Sequence, residues 1–171
     1  YEMGSVFKTF TVAAGLDTGL ADMDTRFDAS QALVVGNRRI KDFHATNQVL
    51  TLEEVYLHSS NIGTSRLAIE MGPRVMRDYF GRMGLLDAAP IELKESAAPI
   101  VPRKWDNSTL ASLSFGYAIA ITPAQAVAAM GALTNGGRYV PLSLRRGGSG
   151  QAGRQIVTAE TSATILDLMR R

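Results

Sequence analysis

The sequence predicts a predominantly α-helical chain with short β-hairpins, and three observations predict it. The stretch from Ser5 to about Leu20 is apolar on nearly every side of a helix. Thr51-Leu52-Glu53-Glu54 and Thr122-Pro123-Ala124-Gln125 both carry the reciprocal capping pattern that opens a helix. The clearest change to an extended period lies within residues 25–41 and is short.

The first element begins at Gly4-Ser5, where glycine allows the tight turn into the helix. Val6, Phe7, Phe10, Val12, Ala13, Ala14, Leu16 and Leu20 then leave no polar face, so this helix is expected to be buried, with Gly19 and Asp22-Met23-Asp24 ending it. Ala32–Val35, Gly36-Asn37 and Arg38–Ile40 read as a hairpin with a two-residue loop. Thr51 opens a short helix through Val55, Tyr56 and Leu57, which breaks at Ser59-Ser60-Asn61. A helix from Ile62 to Met71 follows, with Gly72 past its end and Pro73 starting another, from Arg74 to Met83, that Gly84 closes.

Residues 85–110 read as irregular, with Pro90, Pro99 and Pro102, and Trp105 reads as a packing anchor. Leu113–Ile121 reads as an extended segment. Thr122 and Pro123 launch an alanine-rich helix to about Thr134, stopped by Asn135-Gly136-Gly137, and Tyr139-Val140 reads as a strand. Arg145–Gly153 reads as an exposed basic loop, and Thr158–Arg171 as a final amphipathic helix with arginines at its C-terminal end.

Composition narrows the chemistry. At 171 residues and 46% hydrophobic, the chain suffices for one compact domain with a real core. A net charge of +2, spread along the chain, gives no electrostatic footprint for nucleic acid. The absence of cysteine removes disulfides, thiolate catalysis and thiolate metal sites. His44 and His58 lack metal-ligand spacing, so no metal and no cofactor is expected. There is no run of eighteen apolar residues, and the first residues do not read as a signal peptide. The first residue is not an initiator methionine, which suggests an excised piece of a longer protein.

Ser5 and Lys8 stand three apart at a helix start, so one turn brings the hydroxyl near the amine, the arrangement of a lysine-activated serine. Alone, S-x-x-K is common by chance. Lys8 can act as a base only if its hydrophobic neighbours desolvate it and lower its pKa. Ser59 can relay a proton to or from a leaving nitrogen, and Asn61 can both hold Lys8 and donate to a substrate carbonyl. First-turn N–H groups suit an oxyanion.

Together these residues resemble the penicillin-binding transpeptidases, whose signatures are S-x-x-K, S-x-N and K-[ST]-G. Tyr1–Lys8 is similar to the family's Y-E-P-G-S-x-x-K, Ser59–Gly63 to its S-S-N-x-G, and Phe115–Ala118 with Ile121–Gln125 to its F-G-Y-G and T-P-x-Q segments. The likeness extends over nearly the whole chain and is nearest to the class B, cell-division type of Gram-negative bacteria. Met3 replaces the usual proline and Ala118 the usual glycine; Ala118 implies a backbone there that does not need positive φ. None of Lys8, Lys41, Lys94 and Lys104 begins a K-[ST]-G.

The resemblance implies an α+β fold of the β-lactamase and transpeptidase type, of which residues 1–171 would supply the helical half, with the central sheet largely missing. It implies an acyl-serine peptidoglycan D,D-transpeptidase, with catalytic residues Ser5, Lys8, Ser59 and Asn61, that cross-links stem peptides in septal wall synthesis and is acylated by β-lactams. It places the full-length protein at the periplasmic face of the inner membrane, anchored by an N-terminal helix beyond this chain, with division-complex proteins as partners. The fragment is expected to be inactive or very slow, and to self-associate through an exposed first helix left without its sheet. Two other readings are a β-lactam sensor and a non-catalytic interaction module of the division machinery. A serine β-lactamase fits less well, because no clear E-x-x-x-N is available for deacylation.

Overall fold

The structure, a computed structural model, describes residues 1–93, 95–147 and 153–171. A 3-10 turn, Gly4–Val6, leads into α1, Phe7–Asp17. Four three-residue strands come next: β1 Arg26–Asp28, β2 Leu33–Val35, β3 Arg38–Ile40 and β4 Val49–Thr51. They are succeeded by α2 Leu52–Leu57, α3 Asn61–Arg82, α4 Asn107–Ser114 and α5 Pro123–Thr134. Strands β5 Arg138–Tyr139 and β6 Arg154–Gln155 precede α6, Ala159–Arg170.

The three strand pairs among the described residues are all antiparallel. β1 pairs with β4, placing Phe27 opposite Leu50; β2 pairs with β3, placing Leu33 opposite Ile40; and β5 pairs with β6. The β2–β3 hairpin turns through Gly36, at φ +56°, and Asn37, as the sequence predicts. Thr51 and Thr122 both form their capping boxes, each accepting from the N–H three residues on, with Glu54 and Gln125 reaching back. Gly72 breaks α3 at φ 75° and ψ 172°, immediately before Pro73, so the two helices expected there are two arms across a kink.

The core is organised around α1, which packs against α2, α3, α4, α5 and α6. Phe7 and Phe10 are fully buried and meet edge to face at 5.1 Å, and Phe7 meets Phe80 in the same way at 5.4 Å. Trp105 continues this aromatic run against Phe80, beneath the Arg77 guanidinium, and donates to Pro102 O, which is the anchoring role predicted for it. At the far end of α1, the Asp17 carboxylate accepts from Tyr79 Oη at 2.7 Å, Thr158 N–H at 2.6 Å and Thr161 Oγ1 at 3.0 Å. One side chain thus ties α1 to α3 and to the start of α6.

The expected exposure of the first helix is not found. Every residue from Phe7 to Gly15 is buried, because helices of this same chain surround α1; of the large apolar residues from 5 to 20, Val6 and Leu20, at its flanks, are the exposed ones. The apolar patch on which the expected self-association depends is therefore absent on α1.

Two further expectations are corrected. Residues 113–121 are not a strand: α4 runs through Ser114, and the residues after it are irregular apart from one bridge between Ile100 and Ala120. Asp106 caps α4 by accepting from Thr109 N–H at 2.8 Å, within a stretch read as wholly irregular. The basic loop predicted over residues 145–153 lies partly outside the described residues, at 148–152. No helix among the described residues is long and apolar enough to cross a membrane.

Candidate active site

Ser5 lies in the 3-10 turn, which Gly4 enters at φ +56°, and its side chain is exposed. Being in the first turn, its N–H is among the donors that a helix leaves without an internal partner. One turn on, Lys8 is buried to 2% exposure at the start of α1. Ser5, Lys8 and Ser59 line one open cavity of about 350 Å³, together with Val6, Thr9, Tyr56, Met130 and Met169. The expected meeting of S-x-x-K with the first serine of S-x-N therefore occurs.

The Lys8 amine donates to the Ser59 hydroxyl at 2.8 Å and to the Ser59 carbonyl. Among the described residues no hydrogen bond joins it to Ser5, where the three-residue spacing places the hydroxyl within reach; its two acceptors are both oxygens of Ser59. Burial pulls the Lys8 pKa down from 10.5 to about 8, against the opposing charge of Asp42. That change raises the neutral fraction at pH 7 roughly three-hundred-fold, since each tenfold corresponds to one pH unit.

Ser59 holds its oxygens there with a left-handed backbone, at φ +53°. A non-glycine residue in that region is disfavoured by roughly 1–2 kcal/mol and needs support from its surroundings. Ser60, next in sequence, caps α3 by accepting from Gly63 N–H at 2.9 Å and donates to Asp42 Oδ2 at 2.8 Å. Asp42 Oδ1 also accepts from Ile62 N–H at 2.9 Å.

Asn61 is placed differently from the expectation. Its side-chain amide donates to Lys41 O at 2.9 Å, not to Lys8, because it occupies the first turn of α3 beside the end of β3. It lines a neighbouring cavity of about 560 Å³ with Arg38, Ser112, Phe115 and Tyr117. A third cavity, of about 360 Å³ beside Asp87, Tyr139 and Arg154, contains none of the four predicted residues.

The F-G-Y-A segment seats the serine from behind. Gly116, at φ +84°, lies so close to Gly4 that an added Cβ would stand 2.2 Å from Gly4 O and 2.6 Å from Gly4 N. Ala118 N–H donates to Glu2 Oε1 at 3.0 Å, and Ile121 N–H donates to Tyr1 O at 3.0 Å. Ala118 itself adopts φ +64°, contrary to the expectation that alanine there implied a negative φ. The left-handed turn is retained, and alanine bears the strain.

Asp42, Glu2 and Gly116 build the site without having been singled out by sequence reasoning. Gly116 could have been found, since it stands inside a quoted motif. Asp42 comes just after a strand as one acid among many, with no spacing relation to Ser59.

The family described as the penicillin binding protein transpeptidase domain matches residues 1–171. The chain is 49% identical over 172 residues to the probable peptidoglycan D,D-transpeptidase FtsI of Caulobacter vibrioides, covering 99% of this chain and 29% of that protein. It is 31% identical over 175 residues to the probable peptidoglycan D,D-transpeptidase PbpC of Pseudomonas aeruginosa, covering 99% and 30%. A solved peptidoglycan glycosyltransferase from Burkholderia ambifaria is similar at a TM-score of 0.91 and 26% identity, covering 98% of this chain and 54% of that one. The chain thus spans under a third of the length of these two curated relatives. With the signature residues and the match in agreement over its whole length, the chain belongs to the penicillin-binding protein transpeptidase domain family.

Proposed function

We propose that residues 1–171 form the helical half of a transpeptidase domain and carry the acylating serine of a peptidoglycan D,D-transpeptidase. The observation that carries this reading is the buried Lys8, with a pKa of about 8, joined to Ser59 and sharing a cavity with the exposed Ser5. A neutral amine that spends two N–H groups on Ser59 keeps its lone pair free to take the Ser5 proton.

In the proposed reaction Ser5 Oγ attacks the carbonyl of a D-Ala-D-Ala stem peptide while its proton passes to Lys8 Nζ. First-turn N–H groups face the developing oxyanion. As the C–N bond breaks, the proton leaves Lys8 through the Ser59 hydroxyl to the departing D-alanine nitrogen, and an acyl ester remains on Ser5. An amine of a second stem peptide then attacks the ester and completes the cross-link. Asn61, on the adjoining cavity, donates to the peptide. A β-lactam enters the same path and stops at the ester, because its leaving nitrogen stays tethered.

The relatives named FtsI and the family resemblance support septal wall synthesis at the periplasmic face of the inner membrane, with division-complex proteins as partners. The test is fluorescent penicillin followed by peptide mass mapping. The intact protein is expected to carry the adduct on Ser5, and Ser5→Ala to carry none; labelling that persists in Ser5→Ala sinks the proposal. The 171 residues contain no K-[ST]-G. One missing oxyanion donor already slows such chemistry on the order of a hundred- to a thousand-fold, so the isolated chain should label very slowly or not at all.

A further inference from the structure

The irregular residues after α3 and the segment around β5 face each other across the cavity of about 360 Å³ that holds neither Ser5 nor Lys8. Its walls are built, not incidental. The Gln125 side-chain amide donates to Gly84 O at 3.3 Å and to Asp87 O at 2.7 Å, fixing one wall to α5. Farther along the same two segments, Glu92 accepts from Ser143 Oγ at 2.5 Å and from Leu144 N–H at 3.0 Å, fixing the walls to each other. The volume lies at the small end of the range of about 300–1,000 Å³ that small-molecule sites occupy.

Three side chains give this cavity its chemistry. Tyr139 is only 5% exposed, and its hydroxyl end lies against Gly84, where an added Cβ would stand 2.8 Å from Oη. That hydroxyl has no hydrogen-bond partner among the described residues, yet it is not sealed inside the protein, so it opens to the cavity. Burial raises the Tyr139 pKa, against the charge of Arg154, so the hydroxyl keeps a proton to donate at neutral pH. The Arg154 guanidinium lies over the Tyr139 ring at 5.1 Å, held by donating from Nη2 to Arg82 O at 2.7 Å and Gly81 O at 3.3 Å. Among the described residues Arg154 forms no ion pair, and residues 94 and 148–152 contain no acid in sequence. The Asp87 carboxylate, exposed on the facing wall, makes no hydrogen bond or ion pair among the described residues. One cavity thus holds a cation and an anion that do not pair with each other, beside a buried donor with nothing to accept from it.

We propose that this cavity binds an amino-acid zwitterion, either a free amino acid or the end of a short peptide. Its carboxylate accepts from Tyr139 Oη and the free edge of Arg154, and its ammonium faces Asp87. A cavity wall that served only to cap the C-terminal end of α3 would need Arg154 alone, and phenylalanine would fill the place of Tyr139. The proposal does not rest on the transpeptidase reading, since Ser5 lines a different cavity.

The test titrates the intact protein with alanine and with dialanine, each of either hand, and follows binding by ligand-observed nuclear magnetic resonance. Saturable binding of one or both is expected, and the tighter of the two tells a free amino acid from a peptide end. Acetate and methylamine, with one charge each, should bind about tenfold or more weakly than the tighter zwitterion. Tyr139→Phe and Arg154→Gln should each weaken its binding by about tenfold to a hundredfold, the loss of a hydrogen bond to a charged group. Arg154→Gln still offers an amide to the Gly81 and Arg82 carbonyls, and Ser5→Ala should bind as the wild type does. Asp87→Asn should bring the zwitterion down to the level of acetate. If Arg154→Gln does not fold, unchanged affinity in Tyr139→Phe is enough to overturn the proposal. A wild-type protein that binds neither alanine nor dialanine overturns it outright, and so does one that holds acetate as tightly as either.

Discussion

Replacing Ala118 with glycine should stabilise the protein, by an amount set by its backbone. At φ +64°, Ala118 carries a left-handed strain of roughly 1–2 kcal/mol that glycine does not. Against this, glycine gains unfolded-state freedom worth about 0.4–1 kcal/mol. Removing a half-buried methyl group forfeits about 0.3 kcal/mol more. The net is a gain of about 0.5 kcal/mol, or roughly 1–2 °C in Tm for a chain of this size. Ala120→Gly is the control. Ala120 pairs with Ile100 through both its backbone groups and does not have positive φ, so only the losses apply, and it should destabilise by about 1 kcal/mol. Urea unfolding of both variants reads the contrast of about 1.5 kcal/mol between them. If Ala118→Gly destabilises as much as Ala120→Gly, the strain assigned to this turn is refuted.

Because Lys8 is depressed from 10.5 to about 8, the unfolded chain binds more protons there between those values. Stability should therefore rise with pH from about 8 toward 10.5, in the difference between wild type and Lys8→Met, and a falling difference in urea midpoints across that window would contradict it. Gly116→Ala forces a Cβ onto Gly4 at positive φ and should cost about 3 kcal/mol, read by thermal unfolding; full stability would mean the two backbones are not in contact. Asp17→Asn should destabilise by about 2 kcal/mol through weakened hydrogen bonds to a charged acceptor. Burial raises the Asp17 pKa, but the donors from Thr158, Tyr79 and Thr161 outweigh it and leave it below 3.8. The wild-type advantage over Asp17→Asn should then be present above pH 3.8 and fade as pH falls through the depressed value, and a gap in unfolding free energy that widens on acidification would disprove it.

The features legible in the sequence are local. The capping boxes at Thr51 and Thr122 depend on residues three apart, and both form. Gly72-Pro73 and Gly36-Asn37 likewise act through their own backbones. α4 escapes a sequence reading because five of its eight residues, Leu110 to Ser114, are buried in succession, which erases the amphipathic period, while the small Ser and Ala side chains give no strong propensity. Its one signal is Asp106 as a cap. β6 is two residues long beside a glycine-rich stretch, too short for any alternation. The meeting of Ser59 with Lys8 is legible through the motifs. The bond of Asn61 to Lys41 and the bonds of Asp42 are not, since they depend on where the residues just after β3 come to rest against the start of α3.

The contact of Gly4 with Gly116 also bears on the order in which the molecule assembles. It joins residues more than a hundred positions apart, as does the bond from Ile121 to Tyr1. Closing so long a loop is entropically unfavourable until the intervening helices have already docked, so such contacts belong to the late side of the folding barrier. The turn that displays Ser5 is therefore the last part of the site to set. Substitutions at this seam should accelerate unfolding while leaving the folding rate nearly unchanged.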